Sequence, residues 1–379
     1  MKILFITIYP SPYRVDFFNE LGKNDDVQLT VAFLENISEQ HHRSGKWFNE
    51  RYNYFKAFFL NKRIKLPKGK YISPDIIKIL RNEYDEIVFG GYSYPTMIYA
   101  MWYLHRKHIA YSIEVDGGFI SNDNWLLLKL KRKLISSASK WFSSGKETDK
   151  YLIYYGANMD HIVHYPFSSL NKKDIDEAMT TRWNKSLLKK QLHLDEKIII
   201  ISIGQFIYRK GFDVLLEAAK NVSREIGFYF IGGEPTEDYL SFVQNNRLDN
   251  IHFVGFKEKA ELKKYYSAAD VFVLPTREDI WGLVINEAMA FGLPVITTDK
   301  CIAGLELVEE GKNGYIVKSN DPSGLANAIN HIITANISEM GDYSRKIISR
   351  YTIENMAIIH YQTFADDQER LNEQHKKEL

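Results

Sequence analysis

The sequence predicts an α/β protein with two doubly wound parallel sheets. The chain has 379 residues, of which 45% are hydrophobic, and this length suits two domains. Short apolar segments alternate with helical stretches in both halves, the pattern of strands joined by crossover helices. A polar, charged segment from 171 to 194 separates the two halves. We therefore expect domain boundaries of 1–170 and 171–352, with a final helix beyond them.

The first half begins with an apolar run that ends at Pro10 and predicts a buried first strand. Predicted helices are Tyr13–Gly22 and Pro95–Lys107. The predicted strands are Lys2–Ile8, Val27–Phe33, Glu86–Phe89, Ile109–Val115, Trp141–Ser143 and Ile162–His164.

The second half repeats this alternation, and we find no sequence repeat between the halves. Residues from Ile353 onward predict a helix whose end is frayed, since the sequence is strongly polar after Asp366. The predicted strands of this half are Lys197–Ile203, Gly227–Ile231, Asn250–Val254, Val271–Leu274, Pro294–Thr297 and Gly314–Val317.

Composition excludes several classes of protein. A formal net charge of +1 gives no general case for nucleic-acid binding. The single cysteine, Cys301, excludes a disulfide framework and a cysteine-rich metal site, and we expect a packed thiol there. The apolar N-terminal run lacks a small-residue cleavage site, and no run reaches the length of a membrane-spanning helix. We expect a cytoplasmic protein.

The most informative segment runs from Thr276 to Ile296. It predicts a loop after a buried strand, then a helix, then another strand, so its polar groups lie where parallel sheets bind ligands. Asp279 in the loop and Glu287 in the helix can face one crevice, and carboxylates accept hydrogen bonds from vicinal hydroxyls. The alternative is that these acids only stabilise the helix dipole.

This segment resembles the acid-x7-acid signature of retaining glycosyltransferases of family 4, with Asp279 where that family usually has glutamate. The segments Ile198–Asp213, Phe228–Glu234 and Ile251–Phe256 resemble the family's preceding strand–loop units. The resemblance is specific from about Ile198 to Ile329. It implies the GT-B architecture, two Rossmann-like domains facing across a cleft, with residues 353–379 packing back onto the N-terminal domain.

The resemblance also implies a nucleotide-diphosphate sugar as donor, a UDP-sugar being favoured, with no metal and no cofactor. Lys210 carries over as the cation at the diphosphate, between Gly204 and a helix that Gly211 allows to start closely. The family's arginine five positions earlier is Gln205 here, so Arg209 is a candidate for the missing charge. The alternative for the Arg–Lys pair is a solvated basic turn.

The acid-x7-acid residues also carry over. Asp279 resembles the residue that holds the donor sugar, and Glu287 resembles the one that binds the ribose hydroxyls. The backbone N–H groups that open the helix are candidates for contacts to sugar and diphosphate, with ordinary packing as the alternative for the tryptophan ring. They belong to Ile280, Trp281, Gly282 and Leu283.

In the N-terminal half, many family members place a histidine just after the strand that here ends near Val115. Asp116, or less favourably Glu114, takes that position as a carboxylate for the positive charge that develops at the anomeric carbon. The alternative is that Asp116 only initiates a turn. Tyr13 and Arg14, in the predicted loop after the first strand, are candidates for contacts to acceptor or phosphate.

Two basic segments raise the possibility of a membrane face. Residues 124–135 combine an apolar cluster with four cations and no acid, and residues 61–70 add five cations. Such surfaces bind anionic lipid, which favours a lipid-linked acceptor at the inner face of the cell membrane. The alternative is a helix that packs its leucines inward.

The leading hypothesis is a metal-independent, retaining glycosyltransferase in surface polysaccharide or glycoconjugate assembly. A second hypothesis is a catalytically silent GT-B subunit that binds glycan or a partner glycosyltransferase, motivated by Gln205 and the absent histidine. A third is a GT-B epimerase or phosphorylase, which needs other residues in the cleft.

Overall fold

A computed structural model describes residues 1–35, 52–60, 64–67, 70–181 and 184–378. The chain forms two compact units. Unit 1 contains Met1–Ser169 and the segment from Ile353, and unit 2 contains Leu170–Thr352.

A seven-stranded parallel sheet forms the centre of unit 1. Its strands are β1 (Lys2–Thr7), β2 (Gln28–Phe33), β3 (Lys56–Phe59), β6 (Glu86–Gly90), β7 (Ser112–Val115), β8 (Lys140–Ser143) and β9 (Ile162–His164). They lie in the order β3-β2-β1-β6-β7-β8-β9. Two short strands, β4 (Ile64–Lys65) and β5 (Tyr71–Ile72), pair antiparallel outside this sheet.

The helices of unit 1 pack around this sheet and bury apolar residues in its core, although α4 fully buries only Ile135. They are α1 (Pro12–Gly22), α2 (Ile76–Leu80), α3 (Pro95–Arg106), α4 (Trp125–Ile135), α5 (Lys146–Tyr154) and α15 (Ile353–Glu378). The last of them packs beside α1, where Phe364 and Met356 are fully buried. The core of unit 1 therefore includes residues from both ends of the chain.

Unit 2 is built on a six-stranded parallel sheet. Its strands are β10 (Ile198–Ile203), β11 (Ile226–Ile231), β12 (Ile251–Val254), β13 (Val271–Leu274), β14 (Val295–Thr298) and β15 (Gly314–Val317). Their order is β12-β11-β10-β13-β14-β15. The central strands read as continuous apolar runs because both faces of the sheet are covered.

The helices of unit 2 cover the two faces of its sheet. They are α6 (Lys172–Thr181), α7 (Lys185–Gln191), α8 (Phe212–Ala219), α9 (Glu237–Asn245), α10 (Lys259–Ala268), α11 (Leu283–Ala290), α12 (Ile302–Leu307), α13 (Pro322–Thr334) and α14 (Ile337–Ile348).

The fold class predicted from sequence is confirmed, with local differences. The segment 171–194, expected only to separate the halves, contains α6 and α7, because Ile175, Ala178 and Leu188 give these short helices buried apolar faces. The strand expected from Ile109 starts instead at Ser112, and Ile109 is exposed. Strand β3, at the sheet edge, was not predicted.

Each sheet has a point where the strand order reverses. In unit 2 this point lies between β10 and β13, and in unit 1 it lies between β1 and β6. At such a point, the loops that follow the two adjacent strands run to opposite faces of the sheet. A crevice therefore opens at the carboxyl ends of these strands. The loops after β10 and β13 therefore converge, and they hold the predicted donor-site residues.

Candidate functional site

The loop after β10 turns into α8 through a left-handed residue. Gly211 has φ +67°, and a Cβ on it would lie 2.1 Å from the carbonyl oxygen of Pro275. No other residue fits without moving the loop after β13. This close approach is accompanied by backbone and hydroxyl hydrogen bonds to the carbonyl oxygen of Arg209, from Arg277 N at 2.8 Å and Thr276 Oγ1 at 2.9 Å.

These joined loops bring three charged side chains together. Lys210 Nζ donates to Asp279 Oδ2 at 2.5 Å, and both side chains are mostly buried, 13% and 14% exposed. Arg209 NH1 lies 3.4 Å from Asp279 Oδ1 and donates to the carbonyl oxygen of Glu278 at 2.8 Å. Two cations and one carboxylate thus meet at the switch point, leaving a local net charge of about +1.

The loop after β13 passes into α11 at a second left-handed glycine. Gly282 has φ +102°, and a Cβ there would lie 2.8 Å from Cys301 Sγ. Ile280 is exposed, Leu283 begins the helix, and the Trp281 ring is buried with its Nε1 donating to Asn286 at 2.8 Å. The ring of Trp281 therefore packs inside unit 2 and fixes the helix start from within.

Cys301 is fully buried beside this turn, and its thiol lies 3.1 Å from the carbonyl oxygen of Trp281. Burial raises the pKa of the Cys301 thiol to about 12. A thiol in this state is not a nucleophile at neutral pH.

Glu287 lies one turn further along α11 and has different neighbours from Asp279. Its Oε2 accepts a hydrogen bond from Tyr266 Oη at 2.8 Å. It lines a small cavity, and the described residues that share this lining include neither Asp279 nor Lys210; they are Leu170, Asp174, Lys259, Leu262, Lys263, Tyr266, Ala290 and Phe291. Burial raises the pKa of Glu287. The structure thus pairs Asp279 with Lys210 and places Glu287 in a separate small cavity with a mixed polar and apolar lining.

The lining of this cavity includes polar residues that the sequence reasoning missed. They are Tyr266 and two lysines of α10. Lys263 and Lys259 both reach Asp174 on α6, at 3.0 and 3.1 Å. The two lysines are four residues apart, which places them on one helix face, and this spacing could have identified them from sequence. Their acidic partner is about 85 positions away in the chain, and no local pattern identifies it.

Gln205 and Gly204 lie at the start of the same loop as Lys210. Gln205 is exposed, and the methylene groups of Lys210 pass 3.3–3.4 Å from the position of a Cβ on Gly204. A side chain at Gly204 would press on Lys210. The exposed amide of Gln205 carries no charge to replace an arginine.

The predicted residues of unit 1 form a buried ionic cluster. Arg14 is 5% exposed; its NH1 donates to Glu114 Oε1 and its NH2 to Asp116 Oδ1, each at 2.6 Å. Tyr165 Oη also donates to Asp116 Oδ1, at 2.8 Å. The side chain of Asp116 is 27% exposed and that of Glu114 is fully buried. Only Asp116 of the two carboxylates can reach a ligand without rearrangement.

Tyr13 and Arg14 were expected both in the loop after the first strand and at the start of the predicted helix Tyr13–Gly22, and the structure places them in the helix. Both lie in the first turn of α1, which begins at Pro12 because proline suits the first helical position. The Tyr13 ring makes an edge contact with Phe167 at 5.7 Å. The guanidinium of Arg14 is directed at two carboxylates, so in this structure it is not presented to a phosphate.

Helix α4 exposes most of its apolar residues. Among its residues only Ile135 is fully buried, and the exposed fractions of Trp125, Leu126, Leu127 and Leu130 are 70%, 60%, 40% and 44%. Three exposed cations lie among them: Lys129, Arg132 and Lys133. The alternative, a helix that packs its leucines inward, holds for Leu128 and Leu134, which pack against the core, and not for Leu126, Leu127 and Leu130.

The second basic segment, 61–70, lies partly outside the described residues, which include only 64–67 and 70 of it. Ile64 and Lys65 are exposed. No helix in the described part of the chain is long and apolar enough to span a membrane.

The structure is similar to that of a solved protein along nearly its whole length. The crystal structure of Anabaena HepE in complex with UDP covers 97% of this chain and 100% of its own, with a TM-score of 0.76 and 18% sequence identity. Both sheets of the present chain are parallel and doubly wound, as described above. The chain has the GT-B fold.

Sequence comparison adds a family match within unit 2. Residues 184–350 match the family described as Glycosyl transferases group 1. This region contains the Lys210–Asp279 pair and Glu287. The match does not extend into unit 1, where the Asp116 cluster lies.

Two curated relatives are similar over parts of their length. Spore coat protein SA of Bacillus subtilis is 29% identical over 174 residues, 42% of this chain and 46% of that protein. The lipopolysaccharide core biosynthesis glycosyltransferase LpsE of Rhizobium meliloti is 31% identical over 142 residues, 36% of this chain and 40% of that protein. The chain thus spans less than half the length of these relatives.

Proposed function

We propose that this GT-B protein is a retaining, metal-independent glycosyltransferase of family 4. It transfers a sugar from a nucleotide-diphosphate sugar to a glycan or lipid-linked acceptor, in surface polysaccharide or glycoconjugate assembly. The observation that carries the proposal is the cluster of Lys210, Arg209 and Asp279 at the switch point of the unit 2 sheet. It lies within the region that matches group 1 glycosyltransferases.

The cluster suits a diphosphate leaving group. Departure of a nucleoside diphosphate increases negative charge on its outer phosphate, and fixed cations stabilise that charge more in the transition state than in the ground state. Without donor, Lys210 is neutralised by Asp279 at 2.5 Å. A bound diphosphate competes with Asp279 for the ammonium group of Lys210. The Asp279 carboxylate is then available to accept hydrogen bonds from hydroxyl groups of the donor sugar.

Glu287 suits the ribose of the donor. Among the described residues, Tyr266 is the one hydrogen-bond donor to its carboxylate, and burial raises the pKa of Glu287, so a charged Glu287 is short of hydrogen bonds. Two vicinal hydroxyls supply them. A UDP-sugar is the favoured donor, supported by the likeness to HepE, which was crystallised with UDP.

Asp116, in unit 1, is our candidate for stabilising the positive charge that develops at the anomeric carbon of the donor. Retention proceeds by front-face attack or a short-lived ion pair, and both develop positive charge at that carbon. Arg14 and Tyr165 hold Asp116 Oδ1 from the protein side, and the side chain keeps 27% of its surface exposed. A fixed, partly exposed carboxylate is suited to this role.

The exposed face of α4 supports a membrane-associated enzyme with a lipid-linked acceptor. Trp125, Leu126 and Leu130 offer apolar surface, and Lys129, Arg132 and Lys133 offer charge of the sign that anionic lipids attract. We therefore place the enzyme in the cytoplasm, at the inner face of the cell membrane.

The second candidate function is a silent GT-B subunit that binds glycan or a partner glycosyltransferase. The exposed, uncharged Gln205 favours it, because the family that this region resembles has arginine at this position. The Lys210–Asp279 pair favours the enzyme, since a nearly buried cation at this crevice can stabilise the charge that develops on a leaving diphosphate.

One experiment separates the two functions. Nucleoside diphosphate release is measured with a panel of UDP- and GDP-sugars, with and without glycan or lipid-linked acceptors. The enzyme releases the nucleotide from at least one donor, and the variant Lys210→Ala does so at a much lower rate. Donor binding without release from any member of the panel would support the silent subunit.

A further inference from the structure

The buried ionic cluster of unit 1 extends to a residue of the last helix. His360 of α15 is fully buried, and its Nε2 lies 3.9 Å from Oε2 of Glu114. The other Glu114 oxygen accepts from Arg14. Neither Nε2 of His360 nor Oε2 of Glu114 has a hydrogen-bond partner among the described residues. Two buried polar atoms therefore face each other without a hydrogen bond, an arrangement that requires an explanation.

The ring of His360 has a fixed orientation. Its Nδ1 lies 2.8 Å from the carbonyl oxygen of Met356, and a carbonyl oxygen only accepts, so Nδ1 carries a hydrogen atom. The ring stacks on Phe142 with centroids 4.2 Å apart and meets Phe17 edge-on at 4.9 Å. This aromatic packing holds Nε2 toward Glu114.

When Nδ1 carries the hydrogen of neutral His360, the lone pair of Nε2 faces Oε2 of Glu114. Two acceptors 3.9 Å apart in a buried site repel, and this separation is shorter than the distance of about 4.4 Å that a water donating to both would span, because its two O–H bonds diverge by about 105°. One additional proton, on either atom, converts the repulsion into an attraction.

The charges of the cluster lead to the same conclusion. The groups that face His360 and Glu114 are Arg14 from α1, Asp116 at the end of β7 and Tyr165 after β9. Arg14 contributes +1 and the two carboxylates contribute −2, so the cluster is balanced only when it holds one more proton. An unbalanced buried charge is costly.

We propose that Glu114 and His360 together hold one proton, and that this proton positions Arg14 so that its second N–H group holds Asp116. Glu114 and His360 are then positioning residues for Asp116. The part of this inference that concerns turnover rests on the proposed function; the shared proton itself does not.

The pKa directions describe a coupled pair that takes up its shared proton below the ordinary pKa of histidine, since the pKa values of His360 and Glu114 are both lowered. Burial lowers the pKa of His360, and the charge of Glu114 partly offsets this. Burial disfavours ionised Glu114, but Arg14 and His360 outweigh burial and lower its pKa. Asp116 has a raised pKa because burial and the charge of Glu114 outweigh Arg14. Each of these groups therefore changes the proton affinity of the others.

The test uses nuclear magnetic resonance on the full chain. Histidine ring ¹⁵N and aspartate carboxyl ¹³C labels report the protonation of His360 and Asp116 across pH. The variants are Glu114→Gln, whose amide can donate to Nε2, and His360→Gln, whose amide can donate to Oε2 without titrating. His105→Gln, at an exposed histidine of the same unit, is the matched control.

We expect Glu114→Gln to lower the pKa of His360 by at least about half a unit, because it removes the neighbouring anion. We expect His360→Gln to raise the pKa of Asp116 by a similar amount, because it removes a cation that is present when Asp116 titrates. His105→Gln leaves both values unchanged. Unaltered titration of His360 in Glu114→Gln, or of Asp116 in His360→Gln, overturns the inference.

A kinetic measurement addresses the positioning role. His360→Gln is expected to raise the pKa of Asp116. The acid limb of the turnover–pH profile should therefore move to higher pH by the same amount, while the KM for donor stays the same. A uniform loss of turnover at every pH, with no movement of the profile, overturns the positioning role. Failure of the proposed function is distinguishable, because then no donor turns over in any variant while the titrations remain measurable.

Discussion

At the scale of single residues, the two carboxylates of the acid-x7-acid segment differ in their surroundings. Asp279 has a cation at 2.5 Å and a second at 3.4 Å, whereas Glu287 has one tyrosine hydroxyl and is destabilised by burial. Asp279 is therefore paired with cations of the protein, whereas Glu287 makes a hydrogen bond to a neutral hydroxyl. We therefore expect their substitutions to have different effects on stability.

Replacing Lys210 with alanine should lower turnover about 100-fold, the effect of losing a fixed cationic donor at a developing negative charge. Arg209→Ala should have a smaller effect, about tenfold or less, because Arg209 is 46% exposed and 3.4 Å from Asp279. Steady-state kinetics of nucleotide release measure both, with Lys220→Ala on the exposed surface of α8 as control. Wild-type turnover in Arg209→Ala would show that it does not compensate for Gln205.

Replacing Glu287 with glutamine should raise stability and lower activity. Burial raises the pKa of Glu287 above its unfolded value, so ionised Glu287 costs stability at pH values above its folded pKa, and this cost disappears as the pH falls toward about 4.5. We expect Glu287→Gln to melt at a higher temperature than wild type near pH 8, and the difference to shrink as the pH falls and to vanish below about pH 4.5.

The same variant should bind donor more weakly, by about 1.5–3 kcal/mol for the lost charge-assisted hydrogen bonds to ribose. Thermal melts across pH and the KM for donor measure the two effects. Glu310→Gln, at an exposed position, is the control. A melting temperature that falls at pH 8, or an unchanged KM, contradicts the assignment.

Replacing Asp116 with asparagine should lower turnover by at least about tenfold, or about 1.4 kcal/mol of transition-state stabilisation. Donor affinity should change little, since the nucleotide-binding candidates are in unit 2. Single-turnover and steady-state rates measure this, with Asp160→Asn as an exposed control. Wild-type turnover would leave Asp116 as a turn residue, and Glu114 could not replace it, because its side chain is fully buried.

At the scale of elements, α4 is unusual because only Ile135 of its residues is fully buried, with Leu128 and Leu134 partly buried against the same core. Its first turn is capped by Asn124, whose side chain accepts from the N–H of Leu127 at 2.9 Å. Lys131 is held by Asp123 at 2.8 Å. The cap and this ion pair keep the helix formed while most of its apolar surface faces outward.

We expect α4 to bind vesicles that contain anionic lipid. The triple variant Lys129→Gln, Arg132→Gln and Lys133→Gln should lower the vesicle partition coefficient at least about tenfold, since each cation contributes about 1 kcal/mol at such a surface. Sedimentation with phosphatidylcholine vesicles, with and without phosphatidylglycerol, measures it.

The control for this prediction removes the same charge elsewhere, with Lys197→Gln, Arg224→Gln and Lys312→Gln at exposed positions of unit 2. Equal binding of wild type to neutral and anionic vesicles, or equal losses in the two triple variants, contradicts a membrane face on α4.

At the scale of the whole molecule, the alternation of apolar and helical segments was sufficient to predict both sheets. Lys210 and Asp279 could be expected in one region because each follows a strand that borders the switch point. The Arg14–Glu114–His360 cluster could not, since its members come from a first helix, a central strand and a last helix. No periodicity links residues that are 100 or more positions apart.

The prediction that concerns the complete enzyme is its independence of metal. Fixed cations and helix N-termini are proposed to neutralise the diphosphate, so turnover should persist in excess EDTA at close to the untreated rate. Nucleotide release is measured before and after chelation and after adding Mn²⁺ or Mg²⁺. Loss of activity in EDTA that either ion restores contradicts the proposed mechanism.

The return of α15 to unit 1 has a consequence for how the protein is made. On the ribosome, residues 170–352 emerge before α15, so unit 2 has its whole chain while unit 1 still lacks a helix. Until α15 arrives, Phe5, Phe17 and Phe142 lack the packing that His360 and Phe364 provide. The nascent first unit therefore exposes an aromatic surface throughout synthesis of the second, which is a site for a chaperone that shields apolar chains.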